Sequence, residues 1–257
     1  MTNPTRQPEL IITLSRDQVD IHLLANADKG WPEWQASSRI RGIFLAEDIA
    51  HLLDQAMAQN PALLEDFPCV HLIILDQPNL YMPAYLFSEG KMAKIASRHL
   101  RVRAGDTLVA EPAAEFGMIC YSMPSATLDL LNEYYHAIER VHLVPLLCTS
   151  ILSEMADQSR EENMTFFAQV GKVLLVLSKE KDKLVFSKLF PIRDHADIEY
   201  FTLACDRLLH ADKKCWVTLS DEGAAYQPAS VLNVVMDQQL RLPSLPNLLA
   251  QHRPCAS

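Results

Sequence analysis

Two segments of this chain, one in each half, have the residue pattern of a β-hairpin. In the first, residues 10–25, the polar sequence SRDQ is followed by Val19, Ile21 and Leu23, which alternate with polar residues. In the second, residues 165–192, three strand-like runs are joined by short turns. A period of two is typical of half-buried strands. The recurrence of this pattern predicts two halves that each begin with an antiparallel meander.

The residues after each hairpin repeat the same order of elements. In the first half, a third strand is predicted at 39–46, a helix at 46–60 and a buried strand at 70–76. In the second half, the third strand of the meander leads into a helix at 194–209 and a strand at 215–220. No residue-level repeat accompanies this order. The duplication is therefore predicted from the order of elements alone.

The segment between the two meanders supplies further elements and a boundary. Helical spacing predicts helices at 125–139 and 146–158, with a short strand at 140–145 between them. The polar sequence SREEN at 159–163 follows the second helix. We interpret this polar break as the boundary between the halves, and we place it between about 145 and 163.

Composition and charge exclude several classes of protein. The net charge is −9, and no run of about 18 apolar residues is present. Acidic character argues against a nucleic-acid partner, and the missing apolar run argues against a membrane span. The six cysteines show no regular spacing, which predicts neither disulfides nor a structural metal. These features predict a protein of the cytoplasm.

A resemblance to a known superfamily rests on three stretches within residues 141–209: VHLVPLLCTSILSEM, TFFAQVG and KVLLVLSKEKDKLVFSKLFPI. They resemble the second half of pilus-assembly and secretion-platform proteins of the actin-like ATPase superfamily. The whole chain is similar to a family of bacterial proteins of unknown function with that fold. The resemblance implies an α/β fold with mixed sheets, in which a ribonuclease-H-like subdomain is duplicated. It implies subdomains at 1–144, with an insertion at about 77–122, and at 145–257, with an irregular tail from about 241.

Members of that superfamily hold ATP and magnesium at the two hairpin turns, by an Asp-x-Gly pattern followed by Ser or Thr. Glycine admits backbone N–H groups to the phosphates, and the aspartate orients the hydrated metal. Here the first turn contains Asp17 but no glycine, and in the second turn Gln169 stands at the aspartate position, before Gly171. No two of the seven glycines are adjacent. We therefore predict no cofactor; if ATP and magnesium do bind, Asp17, Gln169 and Gly171 are the candidate contacts.

Other polar residues are candidates for chemistry, and each has a structural interpretation. Asp76 ends a predicted buried strand, where open α/β sheets place functional carboxylates, but the sequence DQPN also suits a turn. The sequence RDHAD at 193–197 suggests a metal site, yet no second such motif accompanies it, and Asp194 suits a helix N-cap. His136 and His142 show no metal-ligand spacing. We interpret Asp76 as a turn residue and Asp194 as a cap, and we predict no catalytic or metal-binding residue.

Three functions fit these observations. The first is a non-catalytic scaffold or adaptor of actin-like fold that binds another protein; the altered phosphate-binding turns favour it. The second is a divergent ATPase or kinase-like enzyme that uses Asp17 and Gly171. The third is a ribonuclease-H-type nuclease with Asp17, Asp20 and Asp76, which the acidic chain disfavours because nucleic acid is a polyanion. The sequence thus favours the adaptor, with an unknown partner and oligomeric state.

Overall fold

The structure is a computed structural model, and it describes residues 9–24, 34–39, 45–68, 70–113, 117–155, 162–181, 183–219, 236–243, 245 and 248–249. Its strands are β1 (Glu9–Leu14), β2 (Gln18–Leu24), β3 (Trp34–Arg39), β4 (Val70–Ile74), β5 (Asn79–Pro83), β6 (Asp106–Ala113), β7 (Gly117–Pro124), β8 (Ile138–His142), β9 (Met164–Val170), β10 (Val173–Glu180), β11 (Lys183–Pro191), β12 (Lys213–Leu219) and β13 (Gln238–Leu242). Its α-helices are α1 (Ala46–Gln59), α2 (Glu89–His99), α3 (Ser125–Tyr134), α4 (Leu143–Glu154) and α5 (His195–Leu209). None of the helices in these ranges has the length and hydropathy needed to cross a bilayer.

Contacts group the chain into two units. The first contains Met1–Gln77, Arg101–Val109 and Tyr121–Leu143, and the second contains Pro78–Leu100, Ala110–Cys120 and Val144–Ser257. This grouping follows contacts rather than chain order, so it does not test the subdomain limits of 1–144 and 145–257. Those limits, the insertion at about 77–122 and the tail from about 241 stay predictions.

The first unit contains a five-stranded sheet with the order β3-β2-β1-β4-β8. Strands β1, β2 and β3 form the antiparallel meander, whereas β4 and β8 run parallel to β1. All residues of β1 and β4 are buried, as expected of strands in the interior of a sheet. Helix α1 buries Ile49, Leu52, Leu53 and Ala56, which recur at helical spacing.

The second unit contains a sheet of the same order and the same strand directions, β11-β10-β9-β12-β13. Its core is built on Phe167, Leu174, Val176 and Trp216, with Ile198 contributed by α5. The predicted duplication is therefore confirmed, because both sheets consist of an antiparallel meander followed by two parallel strands. This is the sheet of a ribonuclease-H-like subdomain.

A third, smaller sheet has the order β5-β7-β6. Within it, Gly117 of β7 lies so close to β5 that a Cβ atom on it would stand 2.3 Å from the carbonyl oxygen of Met82 and 3.0 Å from Cα of Pro83. Glycine at this position permits a backbone approach that no other residue allows. Met82 and Gly117 are far apart in the chain, so no local sequence pattern indicates this contact.

Several predicted elements differ from the structure. The strand expected at 140–145 is β8 at Ile138–His142, and the helix expected at 146–158 begins three residues earlier, as α4 at Leu143–Glu154. The third strand of the first meander was expected at 39–46, but β3 ends at Arg39, and residues 40–44 lie outside the described part. The polar sequence WQASSR forms the strand because it lies at the sheet edge, where its residues alternate between half-buried and exposed. The helix expected at 125–139 ends at Tyr134, because residues 138–142 instead pair with β4. For the third strand of the meander and for the end of the helix expected at 125–139, strand pairing decides the conformation.

Helix α5 begins as predicted. The side chain of Asp194 accepts a hydrogen bond from the backbone N–H of Asp197 at 3.1 Å. The Asp197 carboxylate in turn accepts hydrogen bonds from the backbone and guanidinium of Arg193, and these bonds lower its pKa to about 2. The interpretation of Asp194 as an N-cap is confirmed.

Candidate functional site

The hairpin turn of the first unit is closed by bonds within the chain. The backbone N–H of Ser15 donates to the carbonyl oxygen of Gln18 at 2.9 Å. The backbone N–H of Arg16 donates to Oδ2 of Asp76 at 3.1 Å, and Nε of Arg16 lies 3.8 Å from the same oxygen. Two N–H groups that a phosphate-binding turn would offer to a ligand are therefore already bound, one of them to a carboxylate.

Asp76 lies at the end of β4, beside this turn. Its side chain is only 13% exposed, and Oδ1 has no hydrogen-bond partner among the described residues. Burial raises the pKa of Asp76; the hydrogen bond and charge of Arg16 lower it, and the carboxylate of Asp17 raises it further. Asp17 is thus near enough to Asp76 for their charges to repel each other. The structure brings these two sequence candidates together at the carboxyl end of the sheet.

The raised pKa of Asp76 has a consequence for stability. The folded protein holds a proton on Asp76 more tightly than the unfolded chain does, so this group stabilises the fold most at low pH. We expect the free energy of unfolding of the wild type, relative to Asp76→Asn, to fall as pH rises from about 4 through the raised pKa, and then to level off. Urea unfolding of both proteins across this pH range measures the difference. The exposed Asp66→Asn variant controls for the loss of one charge, and a difference that rises with pH would contradict the expectation.

Three further side chains meet at the same edge of the first sheet. Gln77 follows Asp76 and donates through Nε2 to the carbonyl oxygen of Ser122, while its Oε1 is buried without a partner among the described residues. Nε2 of His142, at the end of β8, lies 3.0 Å from the carbonyl oxygen of Gln77. The ring of Tyr121 lies 4.8 Å from the ring of His142, centroid to centroid. Burial lowers the pKa of His142 to about 4, so its imidazole is neutral at pH 7.

The sequence alone indicates no role for Gln77, Tyr121 or His142. A signal was present for Gln77, which directly follows the strand predicted at 70–76. His142 lies inside the strand predicted at 140–145, and it ends the strand only in the structure. The carboxyl ends of parallel strands meet at one edge of a sheet, but the pairing of β4 with β8 was needed to use this rule. Asp20 is also placed: it accepts a hydrogen bond from Oγ1 of Thr13 at 3.3 Å, across the meander.

The hairpin turn of the second unit is shorter. Val170 pairs with Val173, which leaves Gly171 and Lys172 as a two-residue turn. Gly171 has a φ of +53°, a left-handed conformation that favours glycine. Gln169 bonds through Nε2 to the carbonyl oxygen of Gly171 at 3.4 Å, and its Oε1 is buried without a partner among the described residues. The amide of Gln169 is thus held against its own turn.

The two sheets can be compared position by position, because they have the same order. Strand β1 ends at Leu14 and strand β9 ends at Val170. The second-to-last residue of the strand is therefore Thr13 in β1 and Gln169 in β9. Neither is a carboxylate, and Asp17 lies four residues beyond Thr13, in the turn itself. Asp17 and Gln169 consequently do not occupy equivalent positions.

The remaining sequence candidates are the histidines and the cysteines. Among the described residues, no three His, Cys, Asp or Glu side chains converge as metal ligands would. The thiols of Cys120, Cys148, Cys205 and Cys215 are buried and free, and burial raises the pKa of each. They remain protonated at pH 7 and pack as small apolar side chains.

Comparison with solved structures confirms the fold. A protein of unknown function with an actin-like ATPase fold from Bacteroides thetaiotaomicron matches with a TM-score of 0.71 and 14% identity, over 97% of each chain. The PilM-PilN type IV pilus biogenesis complex matches with a TM-score of 0.51 and 9% identity, over 95% of this chain and 89% of the other. At these identities the likeness establishes the fold alone.

No curated protein sequence matches the chain significantly. A profile of proteins of unknown function, DUF3822, does match it over residues 2–220, which is most of its length. The profile spans both duplicated sheets up to the end of β12. The chain therefore belongs to the DUF3822 family, and it has the actin-like ATPase fold.

Proposed function

We propose that this chain is a non-catalytic protein of actin-like fold that binds another protein. The observation that carries the proposal is the bond from the backbone N–H of Arg16 to Asp76. In a phosphate-binding turn such an N–H group points at the ligand, whereas here a carboxylate of the same chain accepts it. A phosphate at this turn would have to displace Asp76 and approach Asp17, and both carboxylates would repel it.

The second hairpin supports the same proposal. A carboxylate there would orient hydrated magnesium, but Gln169 is neutral and its Nε2 is engaged with the carbonyl oxygen of Gly171. Neither turn thus offers both a metal-binding carboxylate and open backbone N–H groups. Core residues around each turn nevertheless pack as in an intact sheet, since Leu14 and Val170 are buried. A chain that loses the ligand site and keeps the fold is expected to use its surface for binding.

The nature of the partner is proposed by analogy. PilM, which has a similar fold, forms a pilus biogenesis complex with PilN. We propose that this chain acts in the cytoplasm with one or more polypeptide partners. We propose no nucleic-acid partner, because the net charge of −9 repels a polyanion. Under this proposal the function of the chain depends on binding the partner protein and not on binding a nucleotide.

A second candidate function is a divergent ATP-binding protein, an ATPase or kinase-like enzyme. It is favoured by the charge interaction between Asp17 and Asp76, because carboxylates are the side chains that hold hydrated magnesium. It is also favoured by Gly171, which keeps the left-handed conformation of a glycine turn. Under this alternative Asp17, Gln169 and Gly171 contact ATP and magnesium.

Calorimetry with magnesium and ATP separates the two functions. We expect no measurable heat of binding for the wild type. A dissociation constant in the low micromolar range, about −8 kcal/mol, would contradict the proposal if Asp17→Ala abolished it and the exposed Asp66→Ala did not. Purification of the tagged chain from its own cells is the second readout. A polypeptide present in constant ratio is expected, and a chain that elutes alone under mild conditions would argue against an adaptor.

A further inference from the structure

The first unit has an open cleft away from the hairpin turn. It lies between α3 and the neighbouring strands β4 and β8, and its volume is about 210 Å³. Its floor is apolar, formed by Leu72, Leu128, Leu131 and Ile138. Leu72 and Leu131 have no exposed surface at all, so the floor belongs to the core and does not depend on mobile side chains.

Polar groups of several kinds line the same cleft. Oγ of Ser125 and Oγ1 of Thr107 are 2.7 Å apart and bond to each other. Asp129, Asn132 and Arg140 line the cleft as well, and none of the three side chains has a hydrogen bond or ion pair with a described residue. A carboxylate, an amide and a guanidinium are therefore all available to a ligand.

The local structure explains why these groups converge. Ser125, Leu128, Asp129 and Asn132 follow the i, i+3, i+4, i+7 spacing of a single helix face, so α3 presents them together. Arg140 lies opposite Leu72 in the register of β8 with β4, on the same face of the sheet as that leucine. Because β8 is the edge strand, the guanidinium reaches the cleft without crossing another strand.

We infer that this cleft binds an amino acid, or a ligand with the same zwitterionic head. Arg140 matches a carboxylate, which it is able to hold by two parallel hydrogen bonds. Asp129 matches an ammonium group, and Asn132 has both a donor and an acceptor to orient the ligand. Ile138, which is half-buried, offers the apolar surface that a ligand's side chain would contact. The cleft is smaller than the roughly 300 to 1,000 Å³ of pockets for larger ligands, which suits a molecule of this size.

The opposite charges of Asp129 and Arg140 are central to this inference. The two residues line one cleft, yet they form no ion pair with each other, so their charged groups are separated. A ligand with both charges pairs with both side chains at once. A simple anion would be repelled by Asp129, and a simple cation would be repelled by Arg140. The site is independent of the hairpin turns and of the partner proposed above.

Methyl NMR spectra of protein labelled at isoleucine and leucine test the inference, with the twenty free amino acids as probes at millimolar concentration. We expect at least one apolar amino acid to shift the Ile138 and Leu72 resonances in a saturable way. Arg140→Gln and Asp129→Asn should each weaken binding at least tenfold, because each removes one charged contact to the zwitterion. The exposed Arg101→Gln and Asp66→Asn variants are matched controls and should bind as the wild type does.

The side chains to be changed are exposed, so the variants are expected to fold, and their unperturbed methyl spectra verify this. The N-acetylated and methyl-ester forms of the best amino acid test the zwitterion itself. Loss of binding with both forms supports recognition of a zwitterion. Binding of either form as tight as that of the unmodified amino acid would overturn it. Binding of the acetylated form alone would mean that the cleft recognises only the carboxylate. That result would overturn the zwitterion and indicate a peptide C-terminus as the ligand. The inference would also be overturned if none of the twenty amino acids produced a saturable shift.

Discussion

Replacement of Trp216 by alanine is expected to lower the free energy of unfolding by about 3 to 5 kcal/mol. Trp216 is 2% exposed and lies in β12, between β9 and β13. It is opposite Phe167 in the register of β12 with β9, and both belong to the core of the second unit with Ile198. Removal of the indole leaves a cavity that the surrounding strands, held by backbone hydrogen bonds, are poorly able to close.

Far-ultraviolet circular dichroism in urea measures this effect without relying on the fluorescence of the residue that is removed. Trp216→Phe is the conservative control, and it should cost clearly less because the ring fills part of the space. Tyr200→Ala removes a similarly large ring from α5, but Tyr200 is 67% exposed and should change stability by less than about 0.5 kcal/mol. Equal losses for Trp216→Ala and Tyr200→Ala would show that the second unit does not depend on this core.

The second large effect is expected for Gly117→Ala. The new Cβ atom would stand 2.3 Å from the Met82 carbonyl oxygen, and the obstructing atoms are backbone, so no side-chain rotation relieves the contact. Strands β5 and β7 must move apart, at a cost of about 1 to 3 kcal/mol or more. Thermal unfolding followed by circular dichroism measures the loss as a fall in Tm.

Gly90→Ala provides a control of opposite sign. Gly90 lies in the first turn of α2, and a Cβ atom there would meet nothing within 4 Å. Alanine is a better helix former than glycine, so stability should stay constant or rise by up to about 1 kcal/mol. A fall of similar size for both variants would mean that the close approach of β5 and β7 is not the cause.

The hairpins, the helices α1 and α5, and the buried strand β4 follow from the sequence by itself. Their signals are local: alternation with a period of two, apolar spacing on one helix face, and an aspartate positioned to cap the next turn. Asp194 illustrates this, because its bond to the backbone of Asp197 joins residues three apart. The duplicated order of elements follows from the same local signals, whereas the actin-like fold was implied by the resemblance of residues 141–209 to a known superfamily.

The end of α3 was decided by tertiary structure. The sequence through residue 139 has helical spacing, but residues 138–142 gain backbone hydrogen bonds and burial as the strand β8 beside β4. Helix propensity is worth only tenths of a kcal/mol per residue, so pairing with an existing sheet overrides it. The same pairing creates the cleft of the first unit, since it brings Arg140 beside Leu72.

The character of the first hairpin turn was likewise decided by tertiary structure. Asp76 and Arg16 are sixty residues apart in the chain, and no local pattern relates them. Only the parallel pairing of β1 with β4 places the end of one strand beside the turn that follows the other. The missing glycine in that turn was visible in the sequence, whereas the carboxylate that takes the backbone N–H was not, because a contact between distant residues depends on which strands become neighbours.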